Sequence, residues 1–146
     1  MTKAVNLLRV LSIIFFLVAF VLIYAFMPIM VELGSEEMSL NMHRENFFYY
    51  GLATFLGINI LVAVLLRMLE AWFASIGNEL VETWVLGLHV VINVYLTLIV
   101  GYIGVLNNTA TMLASTYAYL NFIGPTLIFL WIFGLIYLVV KKKETT

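Results

Sequence analysis

The chain contains no cysteine, and histidine and proline are rare, with two of each. Without cysteine there is no disulfide, no thiolate nucleophile, no Fe–S cluster and no Cys-based zinc site. Nor is there a thiol from which to read a redox compartment. Charge is scarce too: 10% of the 146 residues are Asp, Glu, Lys or Arg, where a soluble domain carries about a quarter. Every acidic residue is a glutamate, because aspartate is absent. The net charge of −1 comes with no basic face beyond one short tail, which argues against a nucleic-acid partner. What fills the sequence instead is apolar: 64% of residues are hydrophobic, and the mean hydropathy is +1.11. A soluble fold of this length has too much surface to leave so little of it polar. Lipid is therefore the solvent expected for most of the chain, and a free cytosolic enzyme, a disordered chain and a secreted disulfide scaffold are excluded.

A membrane-crossing helix needs about 20 largely apolar residues to pass about 30 Å of hydrocarbon. Such stretches occur at about 8–31, 46–68, 84–106 and 119–140. From Thr83 to Val140 no side chain carries a formal charge, taking His89 as neutral, and the polar break Asn107-Asn108-Thr109-Ala110-Thr111 divides that run in two. The first stretch is much longer than the apolar core of a cleaved signal peptide, so it reads as a retained helix. The fold expected is an all-α bundle of four transmembrane helices joined by short loops, forming one domain over residues 1–146. No internal repeat or low-complexity linker divides it.

Orientation follows the distribution of lysine and arginine. With a cytoplasmic N-terminus, Lys3, Arg9, Arg67, Lys141, Lys142 and Lys143 lie inside and only Arg44 lies outside. Both termini are therefore expected in the cytoplasm. The brevity of the chain and its lack of cysteine point to a bacterial inner (plasma) membrane. Arg9 is expected to snorkel to the headgroups. Lys141, Lys142 and Lys143, directly after the fourth span, are expected to anchor it to anionic lipid at roughly 1 kcal/mol each.

The loops differ. Outer loop 1, about Glu32 to Arg44, holds Glu36, Glu37 and His43, with Glu45 just beyond. This spacing matches no metal-binding template, so a solvated acidic loop is expected. The inner connection places Leu69, Trp72, Phe73, Ile76 and Leu80 at i, i+3, i+4, i+7 and i+11. That pattern fits an interfacial helix, or a second helix prolonged beyond the membrane and turning at Gly77-Asn78. Tyr49, Tyr50, Trp72, Trp84, Tyr117 and Tyr119 fall near the interfaces, where amphipathic rings anchor spans. Asn107-Asn108-Thr109 matches the glycosylation sequon, but a helix end this close to the membrane is a poor acceptor.

Polar side chains at membrane depth must find partners. His89, Asn93, Thr97 and Gly101 follow one another at i+4 steps, so they share one sector of the third helix, and Gly104 joins it. Asn59 and Asn93 both lie roughly 14 Å from the inner ends of their helices, which opens a hydrogen bond between them. His89, Asn93, Thr97 and Asn59 are thus a candidate intramembrane pocket, or else interhelical glue. Gly57, Gly101 and Gly104 are candidate close-packing positions, with further small-residue positions at Gly51, Gly124 and Gly134. The second histidine, His43, lies in the outer loop, which excludes a bis-histidine haem within one chain. No Asp, Glu or Lys sits at depth to build a proton pathway or an ion-coupled transporter. Catalytic residues, metal ligands and cofactors are not expected.

One stretch resembles the SdpI-like small integral membrane proteins. It runs from Tyr24-Ala25-Phe26-Met27-Pro28-Ile29-Met30-Val31, through a short polar loop, to Glu45-Asn46-Phe47-Phe48 entering the second span. In that family the first helix ends near a tyrosine and a proline, and the second carries an asparagine, here Asn59. The resemblance covers about residues 10–66. It departs after the proline, where Glu32-Leu33-Gly34-Ser35-Glu36 replaces the family's His- and Gly-rich pattern. It implies a non-catalytic membrane protein, of a family with members in signalling or toxin immunity.

Together these readings lead to a non-enzymatic membrane protein. Its partners are membrane lipids and either other membrane subunits, to which it is accessory, or itself. The alternative is a small transporter, sensor or immunity-type protein that uses the pocket around His89.

Overall fold

The computed structural model describes residues 2–34, 40–73, 79–108 and 119–144. Four helices dominate: α1 (Thr2–Ala25), α2 (Arg44–Phe73), α3 (Glu79–Asn108) and α4 (Leu120–Glu144). Each is long and apolar enough to cross a membrane. Helix is the economical state for such segments, because every backbone N–H and C=O is satisfied within the segment itself.

The first helix stops short of the span expected at 8–31. It ends at Ala25 because Pro28 lies just beyond: proline disfavours helical geometry at Met27 and offers no N–H of its own. Turn hydrogen bonds from Phe26 N to Ile23 O (3.1 Å) and Met27 N to Tyr24 O (3.2 Å) close the helix. The chain then forms strand β1 (Met30–Glu32), which pairs antiparallel with β2 (Asn41–His43) in the register Met30↔His43, Val31↔Met42 and Glu32↔Asn41. Hydrogen bonds from Leu33 N to Leu40 O and from Arg44 N to Ile29 O, both 2.9 Å, extend the hairpin at either side. Glu36 and Glu37 lie outside the described residues. At the opposite end α2 runs unbroken through Leu69 to Phe73. The α2–α3 connection therefore begins as a prolonged second helix, and Gly77-Asn78 falls outside the described residues.

Helix α3 is the centre of the assembly, and α1, α2 and α4 all pack on it. α1 runs parallel to α3, since Arg9 meets His89, Ser12 meets Asn93 and Ile23 meets Gly104. α4 runs antiparallel to α3, with Trp131 beside Trp84 and Gly124 beside Tyr95. Both termini thus share one end of the bundle, and the hairpin occupies the other.

Two apolar clusters fill the interior. Near the hairpin, Phe16, Phe20, Met27, Val31, Phe47, Phe55 and Val100 form the first. There α1 and α2 are held apart by rings: Phe16 and Phe55 stack at 4.0 Å, and Phe20 lies 5.7 Å from both Phe47 and Phe48. Near the termini, Val62, Leu66, Val81, Val85 and Leu88 form the second, covered by Trp131, Leu135, Leu138 and Val139 of α4. The outward faces remain apolar, with Phe15, Leu61, Phe122, Phe129, Phe133 and Tyr137 all largely exposed. Lipid can cover such faces, and water cannot do so cheaply.

The glycines divide sharply. A Cβ on Gly104 would come 2.9 Å from Ile23, one on Gly51 would come 2.7 Å from Phe20, and those on Gly124 and Gly134 would overlap the rings of Tyr95 and Trp84. Gly57 and Gly101 make no close contact within the chain, because a Cβ at either meets nothing within 4 Å. Gly101 instead lines an open cavity with Leu22, Ile23 and Phe26 of α1, and Gly57 is exposed.

Candidate functional site

The polar side chains of three helices meet between the two apolar clusters. From α1 come Arg9 and Ser12, which lie in line with the buried Phe16 and Phe20 at steps of three, four and four. α2 supplies Asn59, and α3 supplies His89 and Asn93, one turn apart. His89, Asn93 and Ser12 are buried, and Asn93 is completely so at 0% exposure.

The contacts form a directed chain. Arg9 Nη2 lies 3.3 Å from His89 Nδ1. Arginine has no acceptor, so Nδ1 accepts and the ring hydrogen sits on Nε2. That nitrogen donates to Asn59 Oδ1 at 2.6 Å, and Asn59 Nδ2 donates in turn to Phe55 O at 2.9 Å. One turn away Ser12 Oγ donates to Arg9 O at 2.8 Å and accepts from Asn93 Nδ2 at 3.2 Å. Arg9 Nη1 also donates to Asn6 Oδ1 at 3.1 Å. Two buried atoms of the cluster, Arg9 Nε and Asn93 Oδ1, have no protein partner.

These positions differ in detail from those expected. Asn59 and Asn93 do not bond each other: Asn59 pairs with His89, while Asn93 turns to Ser12 on α1. Thr97 stays apart, its hydroxyl bonded to the Asn93 carbonyl of its own helix at 2.8 Å. Arg9 does not snorkel outward, because its guanidinium turns inward to His89 and its Nε is buried. A long side chain can reach either way from the rim of a bundle, and here the imidazole nitrogen supplies an acceptor that lipid tails lack. Lys141 extends over the ring of Tyr137, its ammonium 5.8 Å from the centroid. The side chains of Lys142 and Lys143 lie outside the described residues.

Ser12 was not among the residues singled out from the sequence, and Arg9 was read only as an anchor. The signal available for both was their shared face with Phe16 and Phe20. Interhelical hydrogen bonds in membranes average about 0.6 kcal/mol each. The bridges Arg9–His89, His89–Asn59 and Ser12–Asn93 therefore contribute on the order of 2 kcal/mol together.

The loop residues take structural places. Asn107 Oδ1 accepts from Glu32 N at 2.8 Å, and its Nδ2 donates to Glu32 O at 2.9 Å and to Ile103 O at 2.8 Å. The sequon asparagine is thus engaged with the hairpin. His43 Nδ1 accepts from Glu45 N at 3.4 Å at the start of α2. Arg44 donates to Met27 O at 3.4 Å and lies over the Tyr24 ring. Trp84 donates to Trp131 O at 2.9 Å, and Trp131 returns the bond to Trp84 O at 2.8 Å. The side chains of Trp72 and Tyr117 lie outside the described residues. Among the described residues no group of three or more His, Cys, Asp or Glu side chains comes together to hold a metal ion.

Comparison with known protein families, with curated proteins and with solved structures finds no match for the chain.

Proposed function

We propose that this chain is a non-enzymatic integral membrane protein that works through its lateral helix faces, as an accessory subunit of a larger assembly or by association with its own copies. The observation that carries this reading is the division of labour between interior and exterior. His89, Asn59, Asn93 and Ser12 are bound to one another, while the outward faces, including almost all of the apolar stretch of α4, stay apolar and uncovered within the chain. Gly57 and Gly101 add room for a close approach from outside. The positive-residue bias supports a cytoplasmic position for both termini, and the SdpI-like resemblance over about residues 10–66 supports a non-catalytic role. A bacterial inner membrane is the location consistent with both.

Gentle-detergent purification of the natively expressed protein, with mass spectrometry of what accompanies it, tests the proposal. Stoichiometric recovery with one larger membrane complex supports the accessory role, and recovery as a homo-oligomer supports self-association. Recovery as a bare monomer overturns both.

A second reading, a small transporter, sensor or immunity-type protein, is favoured by one observation: Arg9 Nε and Asn93 Oδ1 are buried without protein partners. Under that reading His89→Ala and Asn93→Leu abolish activity in folded protein. Retained activity in both variants ends it.

A further inference from the structure

We infer that one acyl chain of an anionic phospholipid seats in the cleft that α1, α3 and α4 leave between them, with its headgroup at Lys141. The cleft is a cavity of about 520 Å³. Gly87 and Val91 of α3 line it, with Val5 and Leu8 of α1 on one side and Leu127 and Leu130 of α4 on the other. Leu8 and Leu130 are each more than half exposed, so the cavity opens sideways to the lipid around the bundle.

The lining selects the chemistry of the occupant. None of the lining residues is charged, and the three polar side chains among them already have partners. The Thr83 hydroxyl donates to Glu79 O at 2.7 Å, and the indoles of Trp84 and Trp131 donate to each other's backbone carbonyls. No side-chain donor is left there for a polar ligand, so the part of the ligand inside is hydrocarbon. Length selects its form. From Leu80 to Val91 the α3 lining covers about 16 Å at 1.5 Å per residue, which matches one leaflet of a hydrocarbon core about 30 Å thick. A helix about 10 Å across would fill about 1300 Å³ over that length, more than twice the space present. A single acyl chain is slimmer, and it ends at mid-bilayer as the cavity does.

Charge selects the headgroup. Lys141 follows Leu130 by eleven residues, which returns it to the same face of α4 within about 20° and carries it about 16 Å toward the end that holds both termini. Its ammonium, over the Tyr137 ring, therefore stands beyond the cavity on the headgroup side, where it meets a lipid phosphate. Glu79 and Glu82 lie about 80° and 140° round α3 from Gly87 and stand aside from this path. The site is compatible with either functional reading above.

The test is tryptophan quenching in the full chain carrying Trp72→Phe, reconstituted in phosphatidylcholine vesicles with a rising fraction of one brominated lipid. The two remaining tryptophans, Trp84 and Trp131, both line the cavity. Phosphatidylglycerol brominated on its chains is expected to reach half-maximal quenching at about one-fifth of the fraction that brominated phosphatidylcholine needs, the preference that about one lysine supplies. Gly87→Leu fills the cleft without collision, since a Cβ there meets nothing within 4 Å, and is expected to remove the preference. Lys141→Gln is expected to lower it toward equality. Equal quenching by the two lipids in the parent chain overturns the inference, as does an undiminished preference in either variant. Absence of quenching by both lipids shows the cleft covered by protein, a second copy or a partner, and overturns it too. If Gly87→Leu does not fold, the parent chain and Lys141→Gln decide.

Discussion

Helices α1 and α4 both lie against α3, yet they are attached by different chemistry. α1 meets α3 through hydrogen bonds between side chains, Arg9 to His89 and Ser12 to Asn93, and then through the notch of Gly104 beneath Ile23. α4 offers α3 shape: Gly134 receives the Trp84 ring and Gly124 the Tyr95 ring, while the two tryptophans exchange indole N–H bonds with backbone carbonyls. Polar rungs penalise a misplaced helix by leaving donors unpaired in a low-dielectric medium. Ring-in-notch contacts penalise it by collision and lost dispersion. One chain thus specifies helix position in lipid by two independent means.

Substitutions can break this contrast. The largest effect is expected at Phe20, 1% exposed and set among Phe16, Phe47 and Phe48 on the α1 side. Phe20→Ala should cost about 3–5 kcal/mol, read as a lowered unfolding midpoint in detergent titration. On the α4 side Gly124→Ala drives a methyl into the Tyr95 ring. A loss of about 1–3 kcal/mol is expected, together with freer proteolysis of α4 while α1 stays protected. Unchanged stability there would show that α4 is not seated by its notches. Ser12→Ala removes one rung and should cost about 0.6 kcal/mol, not above about 1.7, with the same titration as the measure. Comparable in size, and opposite in sign, is Gly101→Ala, where the new methyl meets nothing. Its gain of about 0.5–1 kcal/mol comes from helix propensity alone. A loss instead would reveal a partner covering that face.

Much of this was legible in the sequence, because helix length and apolar content in lipid leave few alternatives. That Asn59 and the His89–Asn93 turn lie at similar depth on facing helices was legible, although depth matched Asn59 to Asn93 and not to His89. The partner of Asn93 was not, since equal depth leaves open which neighbour a side chain faces. The direction of Arg9 was undetermined for a similar reason: snorkelling and an inward turn use the same flexible stem. The hairpin escaped notice because three-residue strands carry too little alternation to read, and because Phe26 to Val31 continue the apolar run past the true helix end. The glycines were found as a set, but which of them touch a neighbour depends on helix rotation, which composition does not encode.

Asn107 has a mechanical consequence. Its side-chain amide grips both the N–H and the C=O of Glu32, as a strand residue would, while its backbone belongs to α3. Some 18 residues back along that rigid helix, about 27 Å at 1.5 Å per residue, stands His89 with its ties to α1 and α2. The helix is therefore a rod clamped at one end and again about a third of the way along from the other. A sliding or twisting displacement of α3 cannot be confined to one leaflet: it must either release the hairpin from Asn107 or pull the α1–α2 connection along with it.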